Sequence, residues 1–151
     1  MRTFFSLLLL SLGLTKVLAS EPRIIKVLPH LLDAQGRHTL SPSLYERDAY
    51  QAILRKNPVQ VSGIRYDIQW QGALPKEKPM HIRLYLRTLA HETSDPIILE
   101  EELKPGWLPG SHWAGLKLTG TAFRAVGEVQ AWKAVLLDGE KVVAHQESFL
   151  W

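Results

Sequence analysis

The segment that comes closest to a catalytic motif is His91-Glu92-Thr93-Ser94-Asp95. In zinc proteases, two histidines four residues apart on a helix hold the metal, and the glutamate after the first one acts as the base. Here Asp95 stands where the second histidine would be, and Ser94-Asp95-Pro96 is a turn-forming sequence. We therefore interpret this segment as a polar loop and not as a metal site.

Other side chains that could do chemistry are dispersed along the chain. The histidines occur singly, at His30, His38, His81, His91, His112 and His145. Ser111, in Gly110-Ser111-His112, lacks the second glycine of a nucleophile elbow. The chain has no cysteine, which excludes thiol catalysis, cysteine-bound zinc and iron–sulfur clusters. We predict that the protein is not an enzyme and has no cofactor. The alternative is a hydrolase whose site is assembled from distant residues.

Three consecutive glutamates, Glu100 to Glu102, could supply paired carboxylates for acid–base chemistry or for cation binding. They follow apolar residues 97–99, which predict a strand. Because side chains alternate between the two faces of a strand, Glu100 and Glu102 should share one face and Glu101 the other. We interpret the group as solvated charge on an exposed edge strand, where charged side chains discourage pairing with another sheet.

Trp107 and Trp113 are candidates for binding. They flank residues 108–112, Leu-Pro-Gly-Ser-His, a loop that proline and glycine stiffen. Aromatic rings on a stiff loop can stack on sugar rings or fill a pocket in a protein partner, and His112 would lie beside them. The alternative is that one or both tryptophans cap the end of the hydrophobic core.

A second candidate surface is the polar face of the strand predicted over residues 80–86. Its side chains lie two residues apart and therefore point the same way: His81, Arg83, Tyr85 and Arg87. Arg83 and Tyr85 are its central pair. This row could meet an acidic partner or a polyanion. The alternative is a solvated face whose cations pair with acidic residues of the neighbouring strand.

The elements that must position these residues are mainly strands. Apolar and polar residues alternate over residues 64–70 and again over 80–86, which is typical of strands with one buried face. Residues 129–137 and 141–151 are two long strand patterns, and Asp138-Gly139 between them predicts a tight hairpin turn. Shorter patterns occur at 24–28, 97–103 and 114–118. The chain should therefore contain about seven strands.

One helix is predicted, near residues 43–56. Ser43 can cap its first turn, Glu46 completes a capping box, and Asn57-Pro58 ends it. The stripe expected to pack across an edge of a sheet consists of Tyr50, Ile53 and Leu54. Many short alternating strands with a single helix predict an all-β fold, either an antiparallel two-sheet sandwich or a partly open barrel.

Residues 1–19 have the pattern of a cleavable signal peptide. Arg2 precedes an apolar run over residues 4–14, and Val17-Leu18-Ala19 provides a cleavage site before Ser20. The run is shorter than the ~20 residues that a transmembrane helix needs. We expect an exported protein, periplasmic or secreted, with one domain over 20–151 and no transmembrane segment after cleavage.

Cleavage would also change the charge of the chain. The leader carries Arg2 and Lys16, so the mature chain keeps 16 of the 18 basic residues against 15 acidic ones, a net charge of about +1. This balance gives no reason to expect nucleic acid or a membrane surface as a partner. An exported chain without disulfides fits a bacterial envelope, where the partner would be an envelope protein or a glycan.

The order of alternating strands, with Trp70 in an early strand and a long final hairpin, resembles immunoglobulin-like and fibronectin type III-like domains of exported bacterial proteins. The resemblance covers most of the mature chain. It implies a two-sheet antiparallel sandwich in which the helix near 43–56 is an insertion. Such domains serve adhesion, carbohydrate binding, chaperoning and spacing, so the resemblance implies no functional residues.

We therefore expect a non-catalytic interaction or accessory module of the cell envelope. It would bind a protein partner through a sheet edge or through the loop between Trp107 and Trp113. A carbohydrate-binding module is the alternative, and it requires one of these two tryptophans to be exposed. These patterns leave the oligomeric state open.

Overall fold

The computed structural model describes residues 21–72, 79–89, 95–103 and 110–151. Over these residues the chain forms seven strands, two α-helices and a short 3₁₀ turn at Pro58–Gln60. The strands are β1 (Arg23–Leu32), β2 (Gly63–Gln71), β3 (Met80–Thr88), β4 (Ile97–Leu103), β5 (Ser111–Thr119), β6 (Val129–Asp138) and β7 (Lys141–Glu147). The helices are α1 (Leu44–Lys56) and α2 (Gly120–Val126). The signal-peptide pattern, most of the His91–Asp95 segment and Trp107 lie outside the described residues.

The strands form two antiparallel sheets. One sheet has the order β1-β2-β5, and the other has the order β4-β3-β6-β7. The expectation of an all-β, two-sheet antiparallel fold with about seven strands, one helix near 43–56 and a C-terminal hairpin is confirmed. The partly open barrel is not formed by the described strands, since they fall into two separate sheets.

The core lies between the two sheets and follows the alternation seen in the sequence. From β2 it takes Ile64, Tyr66, Ile68 and Trp70, and from β3 it takes Met80, Ile82, Leu84 and Leu86. Each of these side chains is less than a tenth exposed. The polar residues between them point away from the core, as a period of two requires.

The C-terminal hairpin turns at Gly139, whose φ of 59° is the left-handed conformation that glycine accepts without strain. The expectation that the last strand runs to Trp151 is wrong, because β7 ends at Glu147. The Ser148 hydroxyl accepts a hydrogen bond from the Trp132 N–H, and the Ser148 N–H donates to the Trp132 carbonyl. Ser148 thereby ends the strand, and Phe149 is fully exposed.

Helix α1 begins after Ser43, whose hydroxyl accepts from the Glu46 N–H at 3.5 Å, and ends at Asn57, as predicted. The expected apolar stripe is only partly correct. Leu54 is buried, but Ile53 is half exposed, and the other buried helix residue is Gln51. A polar side chain takes the inward position because the helix packs against an unpaired strand edge, whose N–H and C=O groups need hydrogen-bond partners.

Neither α1 nor α2 has the length and apolar character that crossing a lipid bilayer would require, and the same holds for the rest of the described helical structure.

Candidate binding site

The edge strands β4 and β5 belong to different sheets but approach each other along one side of the sandwich. Glu101 lies opposite Ile82 in the β3–β4 pair and therefore on the core-facing side of β4. Its Oε2 accepts a hydrogen bond from the backbone N–H of Gly115 on β5 at 3.2 Å. This contact satisfies one N–H on the unpaired edge of β5 and bridges the two sheets.

A cleft of about 280 Å³ opens at this seam, where β2 and β4 end and β5 begins. Its walls are formed by Trp70, Glu101, Glu102, Leu103, His112 and Trp113. They combine three aromatic rings, one aliphatic side chain and two carboxylates, and the surface that they expose to the cleft is mainly polar.

Trp70 and His112 form the inner wall. They are directly opposed in the β2–β5 pair, and their ring centroids are 4.9 Å apart. Trp70 is only 1% exposed, and its indole N–H has no hydrogen-bond partner among the described residues. An unpaired buried donor is unusual in a folded protein, because leaving it without a partner costs about 1–3 kcal/mol.

Trp113 forms the outer wall. It follows His112 on β5, so it lies on the other face of the sheet, opposite Gln69. The side chain is 51% exposed, and the ammonium group of Lys26 lies 5.4 Å from its ring centroid. Because β5 is an edge strand, this ring also reaches the cleft. Trp113 therefore does not cap the hydrophobic core, which was one of the two interpretations of this residue.

The three glutamates have different environments. Glu100 pairs with Arg83 at 2.6 Å and with His81 at 3.3 Å. Glu101 is on the core-facing side of β4 but remains exposed, and Glu102 lies opposite His81. Within the described part of the chain neither has a cationic partner at ion-pair distance. Glu100 fits the interpretation as ordinary surface charge, whereas Glu101 and Glu102 bring unpaired negative charge to the cleft.

Arg83 and Tyr85 lie elsewhere, on the outer face of the four-stranded sheet. Arg83 is paired with Glu100 on the neighbouring strand, as the solvated-face interpretation expects. Tyr85 lies beside Trp151, with 6.4 Å between ring centroids, and the guanidinium of Arg87 lies 4.3 Å from the Trp151 ring. The structure thus brings His112 and Trp113 together and separates both from Arg83 and Tyr85.

A second polar cluster, which the sequence analysis missed, lies on the outer face of the three-stranded sheet. His30 and His38 stack with 5.1 Å between ring centroids, and His30 Nε2 lies 3.7 Å from Asp67 Oδ2. Arg65 holds the other oxygen of Asp67 at 2.7 Å. The strand pattern put Arg65 and Asp67 on one face, but no local signal places a loop histidine such as His38 beside β1.

Burial lowers the pKa of both histidines in this cluster. For His30 the Asp67 carboxylate opposes that effect, and nearby positive charges reinforce it. For His38 the positive charge of Arg65 adds to the effect of burial. Both imidazoles are therefore harder to protonate in the folded protein than in the unfolded chain. Among the described residues, no three histidine or acidic side chains converge in a way that could hold a metal ion.

Comparison of the chain with protein-family models, with curated proteins and with solved structures gave no match.

Proposed function

We propose that this protein is an exported, non-catalytic interaction or accessory module of the cell envelope, and that it binds its partner at the β4–β5 cleft. One observation carries the proposal: a half-exposed Trp113 stands beside two carboxylates, Glu101 and Glu102, that have no cationic partner among the described residues. Exposed tryptophan at a rigid concave site is the kind of anchor that dominates binding interfaces.

The strand order supports an immunoglobulin-like or fibronectin type III-like module. If the strands are counted as A, B, C, C′, E, F and G, the two sheets read A-B-E and C′-C-F-G. In immunoglobulin-type sandwiches, A, B and E likewise share one sheet, while C, F and G form the other and C′ joins them. Modules of this architecture commonly present ligands at loops and strand edges, although the architecture alone does not identify a ligand.

A partner could bind in the cleft, or it could add a strand to an exposed sheet edge. The edges of the three-stranded sheet favour binding in the cleft. Gln51 hydrogen-bonds both the N–H and the C=O of Leu31 on β1. Glu101 occupies the N–H of Gly115 on β5. A partner strand could pair at these positions only if those bonds were lost. For the three-stranded sheet we therefore propose the mode that uses the region of Trp113.

The proposal of a non-catalytic role rests on the side chains that could react. The Ser111 hydroxyl accepts a hydrogen bond from the Gln69 amide at 2.8 Å and is not coupled to an imidazole in the described structure. His30 and Asp67 lie close together, but Arg65 holds the carboxylate, His30 is buried and His38 is half-buried. This cluster is more suited to joining β1, β2 and the 33–43 loop than to meeting a substrate.

The test is capture of the partner by the mature protein in its own envelope, with cross-linking and identification by mass spectrometry. We expect one stoichiometric partner whose yield falls at least about tenfold in Trp113→Ala, since loss of an anchoring tryptophan commonly costs 2 kcal/mol or more. Tyr45→Ala is the matched control, because Tyr45 is an aromatic residue that is 84% exposed on α1, away from the cleft. A partner retained by Trp113→Ala and lost in Tyr45→Ala would contradict the proposal.

A further inference from the structure

The walls of the β4–β5 cleft restrict the class of ligand that can bind there. We propose that the cleft binds an uncharged sugar ring of a glycan. This inference rests on the proposed function, because it names the ligand of the same cleft. A volume of about 280 Å³ is slightly below the ~300–1,000 Å³ that is typical of ligand sites, so the cleft suits a single ring and not an extended chain.

Trp113 supplies the surface on which a sugar ring can stack. A sugar ring carries C–H groups on its faces and hydroxyl groups around its rim, so one face can lie on an indole while the rim stays hydrogen-bonded. The ring of Trp113 is half exposed at the cleft, and the Lys26 ammonium packs 5.4 Å from its centroid. An aromatic side chain that is already restrained loses little conformational freedom when a ligand binds.

The polar groups of the cleft favour a ligand that donates hydrogen bonds. Glu101 and Glu102 can only accept, and Glu101 Oε2 already accepts from the Gly115 N–H. The hydroxyl groups around the rim of a sugar can donate to the carboxylate oxygens that remain.

Both signs of charge occur at the cleft, which disfavours a charged ligand. In the described structure neither Glu101 nor Glu102 has a cation at ion-pair distance, so a uronate, sulfate or phosphate group would meet carboxylates of its own sign. The Lys26 ammonium beside Trp113 likewise opposes a cationic ligand. The expected ligands are thus neutral hexoses or N-acetylhexosamines in a glycan.

The experiment is a titration of the folded mature protein with three probes, followed by NMR or calorimetry. The probes are neutral oligosaccharides of glucose or N-acetylglucosamine, uronate oligosaccharides of the same length, and a short arginine- and lysine-rich peptide. We expect millimolar or tighter binding of a neutral oligosaccharide, with at least about tenfold preference over the uronate. Trp113→Ala should weaken binding of the neutral oligosaccharide about tenfold or more. Glu101→Gln should reduce the preference for neutral sugars over uronates. Tyr45→Ala, the control, should change neither the affinity nor this preference.

Three outcomes would overturn the inference: no neutral oligosaccharide binds at millimolar concentration, uronates bind as well as neutral sugars, or only the basic peptide binds. If glycan binding fails while capture of a protein partner still depends on Trp113, the sugar inference is wrong and the proposed function stands. If neither glycan binding nor capture depends on Trp113, both are wrong. A thermal unfolding curve for each variant separates loss of binding from loss of fold.

Discussion

His30 and His38 show how two isolated residues acquire a joint property through folding. Burial and neighbouring positive charges lower the pKa of each imidazole below the ordinary 6.5, and the Asp67 carboxylate only partly opposes this effect. Protonation of both would place two like charges in stacked rings whose centroids are 5.1 Å apart. The folded state should therefore resist proton uptake that the unfolded chain accepts.

The first prediction concerns the stability of the protein in mild acid. Because both pKa values are lower in the folded state, the stabilisation is fully present above pH 6.5 and is lost as the pH falls through the folded pKa values. Urea unfolding between about pH 7.5 and pH 5.5 should show a decreasing free energy of unfolding. The dependence of the free energy of unfolding on pH should become weaker in the double variant His30→Gln/His38→Gln. It should persist in His145→Gln, because the His145 side chain is exposed on β7. A slope unchanged in the double variant would contradict the prediction.

At the scale of elements, helix α1 is attached to the sandwich by polar contacts as well as by the buried side chain of Leu54. Gln51 accepts from the Leu31 N–H at 2.8 Å and donates to the carbonyls of Leu31 and His38 at 2.9 and 2.8 Å. Tyr50 donates its hydroxyl proton to Asp33 Oδ2 at 2.7 Å. Burial alone would raise the pKa of Asp33, but hydrogen bonds from Arg37, Tyr50 and Gln35 outweigh it and lower the pKa to about 2.

The second prediction tests this attachment by changing Gln51 to Ala. The variant leaves one buried N–H and two carbonyls without partners, so the free energy of unfolding should fall by about 3 kcal/mol. Gln51→Glu should also destabilise, because its carboxylate keeps the acceptor but faces both carbonyls with no donor. Urea unfolding measures both changes. Gln60→Ala, at an exposed position, is the matched control, and its free energy of unfolding should lie within about 0.5 kcal/mol of wild type. An equal loss of stability at both positions would refute the role given to Gln51.

For the whole molecule, the shared core makes the two sheets interdependent. Ile68 and Trp70 of one sheet belong to the same buried cluster as Ile82 and Leu84 of the other. Neither sheet can keep its apolar face out of water when the other is lost. Unfolding should therefore be a single cooperative event, as is usual for a domain of this size.

The third prediction is that Leu84→Ala destabilises both sheets together. Leu84 is completely buried, so its truncation should cost about 2–5 kcal/mol through lost burial and the cavity left behind. Tryptophan fluorescence, which includes Trp70 in the core, and far-UV circular dichroism should report one coincident transition shifted by the same amount. Val142→Ala, at a position that is 55% exposed, should have little effect. Separate transitions by the two probes would show that the sheets unfold independently.

Several features of the fold were predictable because they depend on neighbours in the sequence. The alternation from Ile64 to Trp70 identified β2 and its buried face, and Asp138-Gly139 identified the final turn. The cap at Ser43 and the stop at Asn57 are equally local. The inward position of Gln51 was not predictable, because its partner Leu31 lies 20 residues earlier and a helical pattern alone favours Ile53 for that role.

The candidate site was only partly predictable, because part of it depends on contacts between residues that are distant in sequence. His112 and Trp113 were found from residue type and from the stiffness of their loop, but the exposure of Trp113 follows from its pairing with Gln69, which lies in another strand. The separation of Arg83 and Tyr85 from the cleft depends on which sheet β3 joins. Strand pairing over such distances is decided by the packing of the whole core.

The sequence by itself determined the class of structure: strands with one buried face, a capped helix, a tight final turn and a fold that owes nothing to disulfides. These properties follow from the alternation of side chains and from local turn and cap chemistry. The tertiary structure alone decided that His30 meets His38, that Glu101 reaches Gly115 on the other sheet, and that Trp70 shares a cleft with the β5 residues and two carboxylates. The two histidines are only eight residues apart, but the other contacts join residues distant in sequence, which meet only through strand pairing and the approach of the two sheets.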